Sequence, residues 1–239
     1  TGLASRGYVV LALDHPYESA VTELADGRIV GDELAFPSDQ AAGNAFMVSQ
    51  LNVRAADVLF VLDQLERSDA LGALSSHLDA EHIAVIGHSF GGATAAVALD
   101  RDPRVKAAAN VDGTLYGSIE EKLLSRPFLQ LDSDHVETGH SKENIAGNLR
   151  LLANLDAPGW AYEISRANHF SFTDAPLFFA PPGRFILALL IGGGRGPAET
   201  HRATIDILDA FLSGPLGREP ANVEAAVAKY KGIAGGPRK

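Results

Sequence analysis

An α/β fold, with a mostly parallel sheet and helices on both faces, is predicted by three features of this sequence. From Tyr8 to Ile164, apolar runs of strand length alternate with segments of helical period. One such run, Ile83–Ile86, enters the sharp turn Gly87-His88-Ser89-Phe90-Gly91 and leaves it in an alanine-rich segment, which reads as strand, tight turn and helix. At 239 residues the chain is long enough to bury one large core, and it is read as a single domain over 1–239.

Taken in order, Thr1–Gly7 reads as a helix tail stopped by a glycine, which predicts that something precedes it. Tyr8–Leu13 follows as a buried strand. Val21–Leu24 and Arg28–Val30 flank Ala25-Asp26-Gly27 as a hairpin, and residues 31–44 read as loop. Between Phe46 and Arg67, Val48, Leu51, Ala55, Val58, Leu59, Leu62 and Leu65 recur every three or four residues, the stripe of an amphipathic helix that covers a sheet. After the Ile83 strand and its helix come strands at Val105–Val111 and Pro127–Leu131, a helix at Asn144–Leu155 and a strand at Trp160–Ile164. Beyond them lie Phe170, Phe172, Phe178 and Phe179 among Pro176, Pro181 and Pro182. An apolar run (Phe185–Ile191) and the Gly192–Gly194 run follow, then helices at Ala198–Leu212 and near Val223–Tyr230 and a fraying Gly235–Lys239 tail.

Bulk properties narrow the function. A net charge of −10 argues against a nucleic-acid partner, because phosphates are met by clustered Lys and Arg. With no cysteine there is no disulfide, thiolate metal site or cysteine nucleophile, and the compartment stays open. Phe185–Ile191, the longest apolar run, is too short to span a bilayer, so no transmembrane segment is expected. Asp132-Ser133-Asp134-His135 lacks the spacing of a zinc or calcium motif, and no Lys-Ser/Thr follows the glycine run, so neither a metal nor a phosphate loop is expected.

The chemistry converges on Ser89. A serine at the apex of a strand–turn–helix exposes its hydroxyl above a helix N-terminus, and its neighbours Gly87 and Gly91 are expected to be nearly side-chain-free. Such a hydroxyl needs a base and an oxyanion site to become a nucleophile. Of eight histidines, His169 follows the Trp160 strand at the sheet's carboxyl edge and is the candidate base. His88 is expected to point away from the hydroxyl. His77, His82, His135, His140 and His201 read as surface or cap residues. The acid is Asp112 or Asp134, each at a strand end, and strand order alone leaves the two open. Phe90 N–H is one oxyanion donor, while the second would come from a loop before residue 1. His15, His88, Phe170 and Phe172 are candidate substrate-binding residues, and residues 14–45 and 170–197 are candidate pocket covers.

With those residues in hand, the chain resembles the α/β-hydrolase superfamily. More narrowly it resembles the plasma-type platelet-activating factor acetylhydrolases and their bacterial lipase-like relatives. The resemblance rests on Leu3–Val10, Asp14-His15-Pro16-Tyr17, Ile83–Thr94, Val111–Leu115 and His169–Phe172. It implies an α/β-hydrolase fold lacking the usual N-terminal strands and their oxyanion loop. It implies Ser89 as nucleophile, Asp112 rather than Asp134 as acid and His169 as base. The activity implied is hydrolysis of small-molecule or lipid esters, without cofactor or metal. A cutinase-like polyester hydrolase or an acyltransferase would share these residues, and an inactive binding protein on a hydrolase scaffold is the competing class.

Overall fold

The computed structural model describes residues 2–67, 71–174, 182, 183, 186, 194–220 and 222–238. Phe178, Phe179, Gly192, Gly193 and all of Phe185–Ile191 but Ile186 lie outside the described residues, as does much of the 170–197 segment. The chain falls into two compact units, one over Leu3–Leu78 and the other over Asp79–Lys239 with Gly2.

In the first unit Ala4–Arg6 forms a 3-10 turn that Gly7 closes in the left-handed region (φ 88°), matching the expected glycine stop. Strands β1 (Val21–Glu23) and β2 (Ile29–Gly31) pair antiparallel around the Gly27 turn (φ 82°). The expected strand at Tyr8–Leu13 is absent. These residues join no ladder among those described, and Val9, Val10 and Leu11 are exposed. An apolar run makes a strand only where a neighbour takes its backbone hydrogen bonds.

Helix α1 (Gln40–Leu65) starts six residues earlier than its periodicity suggested, because the Asp39 carboxylate accepts from Ala42 N (2.8 Å) and caps it. Gly43 and Asn44 mask that start in the sequence. Leu51, Ala55, Val58 and Leu62 are its buried stripe. This helix is long enough to cross a bilayer and holds an 18-residue window of mean hydropathy 1.4, a feature that single apolar runs do not show in the sequence. Its mid-helix charges are paired within the unit, Arg54 to Glu18 (2.8 Å) and Asp57 to His15 (2.6 Å).

The second unit holds a five-stranded sheet in the order β3 (Ile83–His88), β4 (Val105–Val111), β5 (Phe128–Ser133), β6 (Gly159–Ile164) and β7 (Ile233–Pro237). The first four strands are parallel and β7 runs antiparallel along β6. The expected fraying tail is therefore an edge strand. Gly235 is required there, since its Cβ would lie 2.0 Å from the Ala161 carbonyl oxygen, whereas a Cβ on Gly236 would meet nothing within 4 Å. Glycine and proline disguise it in the sequence because both are depleted from strand interiors.

Helix α2 (Phe90–Arg101) packs on β3 and β4 with every residue from Gly92 to Leu99 buried. Alanines at 93, 95, 96 and 98 on the helix and at 107, 108 and 109 on β4 let the two backbones approach closely. Arg126 donates to the Leu99 and Asp102 carbonyls, which α2 leaves at its end, and to the Val105 carbonyl at the start of β4. Further helices among the described residues include α3 (His135–Thr138), α4 (Lys142–Ala153), α5 (Pro197–Ser213) and α6 (Val223–Val227).

At the turn after β3, only one of the two flanking glycines is sterically obligatory. A Cβ on Gly87 would sit 2.1 Å from the Gly91 backbone, whereas a Cβ on Gly91 would meet nothing within 4 Å. The second close approach is at Gly92, where a Cβ would lie 1.8 Å from Asn110 Oδ1. Gly87→Ala is expected to cost about 1–3 kcal/mol of stability through overpacking. Gly91→Ala is expected to stay within about 1 kcal/mol of wild type, on the stabilising side, because alanine favours the helix. Urea unfolding of both variants checks this pair.

Candidate active site

The last paired row of β3 and β4 is His88 opposite Val111, and the next residue of each strand is Ser89 and Asp112. Ser89 N donates to the Val111 carbonyl (2.8 Å), which ties the serine to the neighbouring strand. Ser89 has φ 57° and ψ −126°, and Asp112 has φ 58°. Two adjacent non-glycine residues in the left-handed half of backbone space mark a strained pair of strand exits, held only because the surrounding packing over-determines them.

Asn110, fully buried, maintains the second of these exits. Its side chain donates to the Gly113 carbonyl (2.9 Å) and accepts from Gly113 N (2.9 Å), clasping the backbone around Asp112. Gly113 must be glycine, since a Cβ would stand 2.2 Å from the Ser89 carbonyl oxygen. Sequence reasoning passed over Asn110, although a polar residue inside the alanine-rich β4 run was the available signal.

The Asp112 carboxylate is wholly buried and each oxygen is engaged. Oδ1 accepts from Ser133 N (2.7 Å) and lies 3.5 Å from His140 Nε2, while Oδ2 accepts from His169 Nδ1 (2.7 Å). Burial alone would raise the Asp112 pKa, but the hydrogen bonds from His169 and Ser133 outweigh it, and the carboxyl sits below its usual range. His140, read from sequence as a surface or cap residue, instead faces this carboxylate. With Nδ1 committed to Asp112, His169 keeps Nε2 for other partners. No hydrogen bond joins it to the Ser89 hydroxyl among the described residues.

Asp134 lies elsewhere. Its carboxylate accepts from Val136 N (3.0 Å), Glu137 N (3.2 Å) and Arg166 N (2.9 Å), capping α3 and pinning the turn before His169. The turn that carries His169 is then closed by a capping box. Asn168 Oδ1 accepts from Phe170 N and Ser171 N, and Ser171 Oγ accepts from Asn168 N (2.9 Å). The N-x-x-S spacing of Asn168 and Ser171 was legible in the sequence.

The remaining candidates are placed as follows. Phe90 opens α2 directly after Ser89, and its ring meets Tyr116 edge-on at 5.6 Å. Phe170 is exposed with its ring 5.8 Å from that of His169, and Phe172 lies 5.9 Å from the His88 ring. His15 belongs to the first unit, buried there and bonded to Asp57. His88 stacks on His169 with ring centroids 4.4 Å apart and donates from Nε2 to the His169 carbonyl (3.0 Å). One ligand atom each from His88, Asp112 and His169 lie within 4.8 Å of one another. Of their nitrogens, His88 Nε2 already faces the His169 carbonyl and His169 Nδ1 the Asp112 carboxylate.

Burial, with the nearby His169 charge adding to it, pushes the His88 pKa down to about 4 from an ordinary 6.5. A histidine depressed in the fold contributes stability that is complete above pH 6.5 and lost as the pH falls toward 4. The expected loss is on the order of 2–3 kcal/mol across that window. His135 works in the opposite sense, because its hydrogen bond to Asp132 raises its pKa and moves its window above 6.5. Urea unfolding at pH 7 and pH 5 is expected to show a smaller drop for His88→Gln than for wild type.

With the geometry in hand, comparisons place the chain. Residues 1–224 match the family described as platelet-activating factor acetylhydrolase, isoform II. A probable 1-alkyl-2-acetylglycerophosphocholine esterase of Arthroderma benhamiae is 29% identical over 244 aligned positions, covering 95% of this chain and 59% of that protein. The platelet-activating factor acetylhydrolase of Cavia porcellus is 25% identical over 167 positions, covering 60% of this chain and 37% of its own. Among solved structures, a ferulic acid esterase from Streptomyces cinnamoneus superposes with a TM-score of 0.76 at 29% identity, covering 98% of this chain and 66% of that one. The chain thus spans less than two thirds of the length of these relatives. Its parallel sheet with flanking helices is an α/β-hydrolase fold. Matched over residues 1–224, the chain belongs to the platelet-activating factor acetylhydrolase isoform II family.

Proposed function

We propose that this chain carries the catalytic machinery of a serine carboxylic ester hydrolase acting through an acyl-enzyme on Ser89. The observation that supports it most is the 2.7 Å bond between His169 Nδ1 and the buried Asp112 carboxylate, at the same sheet edge as the strained Ser89 turn. Asp112 orients His169 and stabilises the imidazolium. His169 Nε2 takes the Ser89 proton as Oγ attacks the ester carbonyl, a contact that commonly tightens only with substrate present. The tetrahedral oxyanion is met by Phe90 N–H at the start of α2, where the helix dipole favours negative charge. Collapse expels the alcohol with the proton from His169, and a water activated by the same base then releases the acid.

The names of the similar proteins point to the ester classes to assay. A glycerophosphocholine carrying a short acyl ester comes first and a feruloyl ester second. Phe170, exposed beside the His169 ring, is the wall we assign to the acyl or alcohol group.

Two substitutions separate the acids. In Asp112→Asn the amide oxygen can keep the Ser133 N–H, but then an NH2 faces His169. Nδ1 must accept, the ring proton moves to Nε2, and Ser89 loses its base. Ester turnover is expected to fall by roughly 10³–10⁴-fold. Asp134→Asn is expected to cost about 1 kcal/mol of stability, as cap changes do, with turnover kept within a few-fold. Ser89→Ala is expected to abolish turnover and leave the unfolding midpoint nearly unchanged. Steady-state assays with unfolding curves decide; full activity in Ser89→Ala, or an equal loss in Asp134→Asn, contradicts the assignment.

A further inference from the structure

We propose that His88 is a positioning residue for the base. From the last paired row of β3, its Nε2–H holds the backbone carbonyl of His169 while its ring backs the His169 imidazole, so that the turn presenting Ser89 also sets where His169 stands. The proposal rests on the reading of Ser89 and His169 given above.

Three observations carry it. First, the contact is direct and double: a 3.0 Å hydrogen bond to the main chain of residue 169 and rings 4.4 Å apart, between residues 81 positions apart in sequence. Second, His88 stands on rigid ground. It pairs in register with Val111 and neighbours both strained exits, so its side chain measures the base loop against the same strand row that carries Ser89 and Asp112. Third, the other half of the base is fixed independently, through Nδ1 on Asp112 and the Asn168–Ser171 capping box. Asp112 controls the tilt of the ring and His88 controls where its backbone sits. A catalytic group held from two sides keeps the near-attack geometry that loosely held groups lose.

The same contacts argue against the two other roles open to His88. Its donor nitrogen is spent on a carbonyl and its ring is lined by His169 and Phe172, which leaves it no N–H to offer a substrate. It is also a poor second base. The titratable groups that influence it are His169 and Asp112, and burial keeps it neutral at pH 7. A neutral ring has a further use: it adds no second positive charge beside the imidazolium that forms on His169 during turnover. A lysine or arginine in the same place would oppose that charge.

Kinetics and one spectroscopic signature test the proposal. His88→Phe keeps a ring and loses the N–H. His88→Asn keeps an amide too short to reach the carbonyl, and serves if the phenylalanine variant does not fold. His88→Gln extends an amide N–H to about the position of Nε2. The first two are expected to lower kcat by about 10- to 100-fold with KM little changed. His88→Gln is expected to recover most of that loss. The far-downfield proton resonance of the His169–Asp112 hydrogen bond is expected to broaden or shift in His88→Phe and His88→Asn and to persist in His88→Gln and Ser89→Ala. Wild-type kcat with an unmoved resonance in His88→Phe or His88→Asn overturns the proposal, and a rise in KM alone makes His88 a substrate contact instead. If the protein hydrolyses no ester but the resonance responds to residue 88 as stated, the hydrolase reading fails and the positioning role stands.

Discussion

Strands β3 and β4 end together. Their final row, His88 opposite Val111, is followed by a hydrogen bond from Ser89 N to the Val111 carbonyl, and both chains then leave the sheet through left-handed backbone. Everything that could do chemistry depends on this shared exit. The elbow can close only because Gly87 has no side chain to strike the Gly91 backbone. The Asp112 exit can lie beneath it only because Gly113 has none to strike the Ser89 carbonyl. Asn110, with its reciprocal bonds to Gly113, holds the strained residue in place from inside the sheet. Local strain is tolerable because alanine-on-alanine packing of α2 against β4 leaves the elbow little room to relax.

Around that exit the electrostatics are arranged by burial and by committed hydrogen bonds rather than by surface charge. Asp112 is a buried carboxylate, an expensive group to bury, and it stays ionised because His169 and the Ser133 backbone both donate to it. Burial acts on His88 in the complementary way, holding it neutral. One site therefore keeps an anion, a base and an uncharged spacer within a few ångströms. The loop bearing His169 is fastened at its turn by the Asn168 capping box and just upstream by Asp134, whose carboxylate binds Arg166 N. Asp134 thus shapes the site without facing it, which is why a strand-end aspartate could be mistaken for the acid.

Much of this was readable from the sequence. The strand–turn–helix around Ser89, the β4, β5 and β6 runs and the helices that follow them carry plain periodicity, because each buries one face in the second unit. What the sequence concealed has physical reasons. Tyr8–Leu13 has the composition of a strand but no ladder among the described residues, and a strand is a property of a pair. Ile233–Pro237 has the composition of a frayed end yet pairs with β6, because glycine is what its close approach to Ala161 demands. The start of α1 was hidden by Gly43 and Asn44, which its Asp39 cap overrides. At the site, strand order alone left Asp112 and Asp134 open, since both end parallel strands. The choice between them turns on hydrogen bonds, and those depend on loop geometry that no spacing rule encodes. The place of His140 beside Asp112 is hidden for the same reason, whereas Asn110 stands out as a polar residue inside the alanine-rich β4 run.

The central claim is that the Ser89 hydroxyl is activated by an assembled site rather than merely exposed on a loop. Reaction of the folded protein with a fluorophosphonate probe, followed by peptide mass spectrometry to locate the adduct, tests it most directly. The account predicts a single adduct on Ser89 that disappears when the protein is heat-denatured before labelling. Folded protein that carries no adduct, or one whose adduct on Ser89 survives prior denaturation, would contradict it.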